Sequence, residues 1–264
     1  MCMNRDEVIL GVLKKIAGGF RQPGSKDVWD TGWGEILDAI QKDGFTPEAL
    51  KPQYFGNDNM HRSNGDWHVM DHAWQMDQSI RKSAISELVG GNIVELGCGT
   101  GINQLLIAEM YPDAELVAAD WAKASQEIIS SISTYIGRHI KPVNFNMASL
   151  EGWDDLGIGE TTAVLTIHAL EQLGSDWGLL LTALRAAKPR ICVHVEPILE
   201  LYDETDLFDY LAAEYHRARD YLSGWLPAIR ELERQGKAEI IRLERNKFGN
   251  RYHEAYTILV WKPL

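Results

Sequence analysis

A glycine-rich loop that joins a short apolar run to a helical pattern constrains the fold of this chain more than any other feature. The run Asn92–Leu96 leads directly into Gly97-Cys98-Gly99-Thr100-Gly101, and a helix-forming stretch follows at 104–111. Three glycines permit a tight turn and let a ligand approach the backbone, while the helix N-terminus offers unpaired N–H groups to an anion. This order is typical of the first unit of an α/β sheet that binds a ligand.

The rest of the chain repeats the alternation of short apolar runs with helical stretches, which indicates a parallel sheet covered on both faces. The runs are Asn92–Leu96, Glu115–Ala119, Pro142–Asn146, Ala163–His168, Arg190–Glu196, Glu239–Leu243 and Ala255–Trp261. The last two runs lie too close together for a helical crossover, so we expect them to form an antiparallel hairpin. The pattern therefore predicts an α/β fold with a seven-stranded, mostly parallel sheet and a terminal antiparallel hairpin.

Composition shifts near residue 90, which suggests two parts. The first part holds four of the nine Trp residues and helix-like segments at 6–17, 34–43 and 67–88, the last with apolar residues at helical spacing. We predict an N-terminal helical cap or lid over residues 1–88 and a core over 89–264. A mostly helical insertion is expected within the core at 198–236.

Charge and cysteine content exclude several classes of protein. Twenty-six basic residues against thirty-eight acidic ones give a net charge of −12, which would repel a phosphate backbone, so we expect no nucleic-acid partner. No run of eighteen apolar residues occurs, and acids stand where a signal peptide needs apolar residues, so we expect neither export nor membrane insertion. Cys2, Cys98 and Cys192 form no C-x-x-C pair, which fits a cytoplasmic protein without disulfides.

An acid at the end of the second run indicates an adenosine ligand. Asp120 follows Glu115–Ala119, nineteen residues after Gly101, where a carboxylate accepts hydrogen bonds from ribose hydroxyls. The loop reads G-x-G-x-G, with Glu95 two residues before the first glycine, whereas a dinucleotide site expects G-x-G-x-x-G. An NAD-dependent oxidoreductase stays open as an alternative with the same general fold.

The motif Glu95-Leu96-Gly97-Cys98-Gly99-Thr100-Gly101 resembles the first motif of the class I S-adenosylmethionine-dependent methyltransferases. The segment 167–173 is similar to a family signature that commonly ends in Leu-Glu-His-Leu, with Gln172 in place of the His. The segment 187–197 resembles the family's Lys-Pro-Gly-Gly turn without its glycines. The resemblance covers about residues 90–197 and the terminal hairpin. It implies a Rossmann-like fold, S-adenosylmethionine as the cofactor and S-adenosylhomocysteine as its product.

Carried onto this sequence, the resemblance assigns residues to each part of the cofactor. The three glycines would line the methionine end, Glu95 would help to hold the ammonium group directly or through water, and Asp120 would bind the ribose. Trp121 or Met147 would lie against the adenine, and Asn146 stands where an acid or amide reads the adenine amino group. The predicted cofactor-binding residues are Glu95, Gly97, Gly99, Gly101, Asp120, Trp121, Asn146, Met147 and His168.

Methyl transfer is an in-line displacement in which the acceptor atom loses a proton, so polar residues at the carboxyl ends of the strands are candidate catalytic groups. These are His168, His194, Glu196 and His253. His194 and Glu196 are two residues apart and share one face of a strand. We hypothesise that His168, His194 or His253 accepts the proton, and that Glu196 or Glu254 orients the base.

The same residues also allow other interpretations of the site, the acceptor and the assembly. The rim histidines and carboxylates could bind a metal, as could His68 and His72 if they lie one turn apart on a helix, although we predict no metal. The loop 54–61 and either Arg217 or Arg219 could contact the acceptor. We predict methyl transfer to an oxygen or nitrogen, and carbon is not excluded, of a small molecule. The alternatives are a peptide or protein methyltransferase and a non-catalytic cofactor-binding scaffold, and the exposed cap aromatics suggest a homodimer.

Overall fold

The computed structural model describes residues 5–19, 26–51, 60–89 and 91–264. Eight α-helices and nine β-strands lie within these ranges. The helices are α1 (Arg5–Ala17), α2 (Lys26–Asp43), α3 (Ala73–Ile85), α4 (Ile102–Met110), α5 (Lys123–Ile136), α6 (Gly178–Ala187), α7 (Leu207–Arg219) and α8 (Trp225–Arg234). The strands are β1 (Met60–Ser63), β2 (Asp66–Val69), β3 (Asn92–Leu96), β4 (Glu115–Asp120), β5 (Ile140–Asn144), β6 (Thr162–Ile167), β7 (Ile191–Glu196), β8 (Ala238–Gly249) and β9 (Glu254–Pro263). None of the described helices is long and apolar enough to cross a membrane.

All nine strands belong to one mixed sheet in the order β2-β1-β8-β9-β7-β6-β3-β4-β5. The strands β3 to β7 run parallel, whereas β9 pairs antiparallel with β7 and β8 pairs antiparallel with β9. The predicted α/β fold and terminal hairpin are therefore confirmed. The predicted count of seven strands is wrong, because the hairpin β1–β2 extends the sheet by pairing Arg62 with Gly249 and Ser63 with Phe248.

The helix predicted at 67–88 begins later than expected, because the additional hairpin includes residues 66–69. Asn64 and Gly65 both have positive φ angles of 51° and 85°, and this two-residue turn matches the right-handed twist of the flanking strands. The helix α3 begins only at Ala73. His68 therefore lies on β2 while His72 precedes α3, so the two histidines do not share a helix face.

Two apolar layers cover the faces of the sheet because successive strand residues point to opposite sides. On β3, Ile93 packs under α3, α4 and α5, whereas Val94 and Leu96 face α6 and α8. Burial of a large apolar side chain contributes about 1.5–3 kcal/mol. The two layers fix the strands in register, so the residues that end each strand have defined positions.

Those strand ends meet at one edge of the sheet. The glycine loop follows β3, Asp120 ends β4, and His168 follows β6, while β9 begins at this edge because it runs in the opposite direction. The helix α2 lies against the loop, since a Cβ added to Gly99 would be 3.1 Å from the Trp33 ring. The β1–β2 hairpin belongs to the same sheet as the core strands, and the division at residue 88 stays a prediction.

Candidate active site

The glycine loop is held against β4 and packs tightly on its other side. The amides of Gly97 and Cys98 both donate to the carbonyl of Ala119, at 2.8 and 3.0 Å. Gly97 has a φ of +73°, and a Cβ at this position would lie 2.4 Å from the Cβ of Ala169. Only glycine fits here, and the backbone is consequently exposed to whatever occupies the neighbouring space.

Two adjoining cavities open beside the loop. The smaller has a volume of about 360 Å³, and the larger has a volume of about 490 Å³. They share five lining residues, namely Trp29, Trp33, Gly97, Gly99 and His168. Since Trp29 and Trp33 stack on each other with ring centroids 5.2 Å apart, α2 places an aromatic cover where the cavities meet.

The smaller cavity gathers Asp120, Trp121, Asn146 and Met147. The Asp120 carboxylate accepts hydrogen bonds from the Gly99 amide at 2.8 Å and from the Ala122 amide at 2.9 Å. Burial raises its pKa, and these amides act in the opposite direction. A carboxylate has about four acceptor sites, so both oxygens can accept a further hydrogen bond from a ligand.

Asn146 uses its side-chain oxygen within its own turn. Its Oδ1 accepts from the amides of Ala148 and Ser149, at 2.9 and 3.3 Å. The side-chain N–H groups are the better candidates for a ligand, and they suit a ring nitrogen acceptor of a base rather than an amino group. The predicted contact with an adenine amino group therefore does not fit this geometry.

Glu95 lies behind the loop and lines neither cavity. Its carboxylate accepts from the side-chain amides of Asn103 and Gln104, both at 2.6 Å. Burial raises its pKa to about 7, although these hydrogen bonds act to lower it. Of the two predicted ways for Glu95 to help hold an ammonium group, this placement leaves the contact through water and not the direct one, and Glu95 anchors the start of α4.

A buried polar network connects Glu95 to the larger cavity. Asn103 accepts from Arg81 Nη1 at 2.8 Å, and Arg81 Nε pairs with Asp77 at 2.7 Å. Tyr256 donates to the same aspartate at 2.6 Å. Arg81 and Asn103 both line the cavity. Sequence reasoning missed this network, although an acid and an arginine four residues apart on a helix can pair.

His168 occupies the junction of the cavities. Its φ of +54° places a non-glycine residue in the left-handed region, a strain that often marks functional positions. Its ring meets Tyr256 edge-on, with centroids 4.6 Å apart, and its Nε2 is buried without a hydrogen-bond partner among the described residues. Burial lowers its pKa to about 3, so the imidazole is neutral at physiological pH.

His253 and Glu171 also line the larger cavity. His253 Nδ1 lies 3.0 Å from His216 Nε2, and burial holds the pKa of His253 well below its usual value. Glu171 Oε1 accepts from the side chain of Gln172 at 2.9 Å. Burial, followed by the nearby Glu196 carboxylate, raises the pKa of Glu171 to about 8. Sequence reasoning quoted Glu171 only as part of a motif and did not assign it a role.

The structure places His194 and Glu196 away from the cavities. They share one face of β7 as predicted, but that face packs against the layer of α6 and α8. His194 Nδ1 lies 2.9 Å from the Thr166 hydroxyl, and its Nε2 accepts from Trp261 at 3.0 Å. Both nitrogens are thus engaged, and the residue is fully buried, so His194 has no route to an acceptor.

Glu196 has a structural task at the same edge. Its carboxylate accepts from three successive backbone amides, those of residues 169–171, at 3.1–3.2 Å, and it thereby fixes the turn that follows His168. Glu254 accepts from Arg245 Nε at 2.9 Å, and it does not line the larger cavity as His253 does. Neither glutamate orients a base directly, which corrects that expectation.

The other residues considered as acceptor contacts or metal ligands lie as follows. Arg217 is half-exposed and pairs with Glu204 and Glu214, and Arg219 donates to the Tyr221 hydroxyl at 3.0 Å. Neither arginine lines either of the two cavities described above. The expected acceptor loop at 54–61 lies outside the described residues except for its last two. Within the described ranges, no group of three or more His, Cys, Asp or Glu side chains is arranged to hold a metal ion.

Comparisons with known proteins address the fold. No protein-family model matches the chain, and no curated protein matches it. One similar solved structure is the N-methyltransferase NodS from Bradyrhizobium japonicum WM9 in complex with S-adenosylhomocysteine. It superimposes with a TM-score of 0.51 at 12% identity, and the match covers 82% of this chain and 97% of NodS. Geranyl diphosphate methyltransferase, with geranyl diphosphate and sinefungin, gives 0.50 at 8% identity, covering 72% and 78%. The chain therefore shares the fold of these two methyltransferases, which agrees with the fold that the resemblance in its motifs implied.

Proposed function

We propose that this protein transfers a methyl group from S-adenosylmethionine to an oxygen or nitrogen atom of a small molecule. The observation that carries the proposal is the junction of the two cavities. The glycine loop and Asp120 line the smaller cavity, the larger cavity holds aromatic and titratable side chains, and His168 lies where they meet. A donor and an acceptor bound in these cavities would meet at one point, as an in-line displacement requires.

The residues of the smaller cavity fit an adenosine. Asp120 would accept hydrogen bonds from ribose hydroxyls, and Trp121 or Met147 would pack on the adenine. Arg81 and Asn103 would hold the carboxylate of the methionine part at the start of the larger cavity, in place of the direct role predicted for Glu95. Bound S-adenosylmethionine would supply an electrophilic methyl group on a sulfonium.

His168 is the proposed proton acceptor for an O–H or N–H group of the substrate. A neutral imidazole can accept a hydrogen bond and a proton at Nε2, and this atom is buried without a partner among the described residues. His253 is the second candidate, because it lines the same cavity. His194 is not a candidate, because both of its ring nitrogens are engaged by Thr166 and Trp261.

The dimensions of the site favour a small acceptor over a peptide. A cavity of about 490 Å³ lies within the range of about 300–1,000 Å³ for small-molecule sites. Trp29 and Trp33 cover the junction, and such a cover excludes water from a reactive sulfonium. We also propose a cytoplasmic location, since Cys98 and Cys192 are buried free thiols, and we expect no nucleic-acid or membrane partner. A homodimer remains a proposal.

The first test is calorimetric titration of the protein with S-adenosylhomocysteine and, in parallel, with NAD. Binding of the former but not the latter supports the proposal, and the reverse result would restore the oxidoreductase alternative. The protein is then incubated with methyl-labelled S-adenosylmethionine and a size-fractionated cell extract. Label in small molecules supports the proposal, label in macromolecules favours a peptide or protein acceptor, and binding without label in any fraction favours a scaffold.

A further inference from the structure

Two residues that line the larger cavity each carry a buried acceptor atom without a protein partner. These atoms are Nε2 of His168 and Oε2 of Glu171, and neither has a hydrogen-bond partner among the described residues. An unsatisfied buried acceptor is costly, so a ligand that donates to both atoms would recover that cost. A hydroxyl group has one hydrogen to donate, whereas a protonated primary or secondary amine has at least two.

The wall beside these atoms is aromatic. Tyr215 and Tyr221 have ring centroids 6.2 Å apart, and each lies within 5.7 Å of the His253 ring. Phe248 and Tyr256 continue the wall, with centroids 5.2 Å apart. The faces of aromatic rings attract cations, and the attraction is stronger where water is excluded.

Charge in the cavity points in the same direction. The charged residues that line it, within the described ranges, are Glu35, Arg81 and Glu171. Arg81 is neutralised by Asp77 at 2.7 Å, and Glu35 is exposed to solvent. Glu171 is the buried carboxyl group that a ligand would meet, and a cation bound beside it would favour its ionised form, in the same direction as the nearby Arg219 on α7. A buried carboxylate is stabilised by a cationic partner.

We propose that the methyl acceptor is a small organic amine, bound as an ammonium ion between Glu171 and His168 and against the wall formed by Tyr215, Tyr221, Phe248 and Tyr256. This inference rests on the proposed methyltransferase function and narrows its substrate class. Glu171 takes up a proton from the ammonium group and becomes a carboxylic acid, leaving a neutral amine. His168 accepts a hydrogen bond from a remaining N–H and so directs the nitrogen lone pair.

The transfer step then balances without another reactant. The amine nitrogen forms a bond to the methyl carbon while the carbon–sulfur bond of S-adenosylmethionine breaks, and that electron pair stays on sulfur. The positive charge passes from the sulfonium to the methylated nitrogen. The proton on Glu171 returns to solvent when the product leaves. With an ammonium substrate, therefore, Glu171 takes the proton that His168 would accept from a hydroxyl group, and His168 instead orients the acceptor nitrogen.

The test uses pairs of probes that differ only in the donor group. Benzylamine, phenethylamine and tryptamine are each compared with the alcohol of the same skeleton. Binding is measured by ligand-observed NMR on protein saturated with S-adenosylhomocysteine, and methyl transfer is measured on protein saturated with labelled S-adenosylmethionine. We expect the amines to bind at least about tenfold more tightly than the alcohols, because hydrogen bonds to a charged group are the stronger ones. In Glu171→Gln this preference should vanish, whereas Glu160→Gln, a change of the same charge at an exposed position that lines neither cavity, should keep it.

Three results would overturn the proposal. The first is an equal response, or no response, to amines and alcohols in the unmodified protein, and this comparison needs no variant to fold. The second is a Glu171→Gln protein that is folded by circular dichroism and keeps the preference. The third is a loss of S-adenosylhomocysteine affinity in that variant as large as its loss of amine affinity, which would assign Glu171 to the cofactor. Failure of the unmodified protein to bind S-adenosylhomocysteine would instead refute the methyltransferase function itself.

Discussion

Replacement of Gly97 by alanine tests whether the loop is as tightly packed as its geometry indicates. The added methyl would lie 2.4 Å from the Cβ of Ala169, a contact that real Cβ atoms do not form. Because Ala169 Cβ is fixed to its backbone, one of the two loops must move. Gly157 provides a matched control, since its φ of +65° is similar and nothing lies within 4 Å of an added Cβ.

The difference between the two variants isolates the clash. A non-glycine residue in the left-handed region costs about 1–2 kcal/mol in either variant. Overpacking adds about 1–3 kcal/mol, and only Gly97→Ala incurs this part. We therefore expect Gly97→Ala to lower the free energy of unfolding by about 1–3 kcal/mol more than Gly157→Ala does.

Urea denaturation followed by circular dichroism measures this difference, provided that both variants show the same m-value. Titration with S-adenosylhomocysteine supplies the second readout, because displacement of the loop should weaken binding in Gly97→Ala and not in Gly157→Ala. Equal unfolding free energies and equal affinities in the two variants would refute the account of the loop.

Three further outcomes follow from the site. Asp120→Asn should weaken S-adenosylhomocysteine binding about tenfold to hundredfold in calorimetry, because an amide nitrogen must now face the backbone N–H of Gly99 or Ala122; Asp176→Asn, an exposed acid of the same cavity, should not. His168→Gln should lower kcat about hundredfold or more with little change in stability. His194→Gln should instead cost about 1–3 kcal/mol of unfolding free energy and leave kcat nearly unchanged. The opposite pattern would indicate that His194 is the catalytic histidine. Burial raises the pKa of Glu171 from 4.5 to about 8, so between these pH values the folded state binds a proton that the unfolded state has lost. The stability of the protein relative to Glu171→Gln should therefore fall as pH rises from 4.5 to 8 and level off above pH 8. A constant difference in unfolding free energy across this range would contradict the shift.

The sheet could be predicted from the sequence because its determinants are local. Each of the runs between residues 92 and 261 is short, apolar and bounded by turn residues. Helices separate three of the four neighbouring pairs among the first five runs, which favours parallel pairing. The hairpin β1–β2 was not predicted. Its turn, Asn64-Gly65, is a strong local signal, but the apolar spacing of the helix that follows extended the predicted helix backwards over β2.

The site was predictable only where a residue's role depends on the backbone next to it. The glycines and Asp120 lie along one edge because strand ends meet there. His194 illustrates the opposite case, since alternation along β7 showed which residues share its face but not which layer covers that face. Arg81 and Glu171 reach the larger cavity through packing between elements far apart in the chain, and a single sequence carries no direct record of such contacts.

The pairing of β1 with β8 limits the order in which parts of the protein can fold during synthesis. His61 lies 3.2 Å from the carbonyl of Gly249, a partner 188 residues later in the chain. At 5–20 residues per second, a ribosome needs on the order of 10–40 s to supply that partner. During this interval the hairpin exposes an unpaired edge, and its shortness and its polar Asp66 and His68 would discourage pairing with other nascent chains. The larger cavity is consequently completed only after β8 and β9 have been synthesised, when the parallel strands β3 to β7 can already have folded.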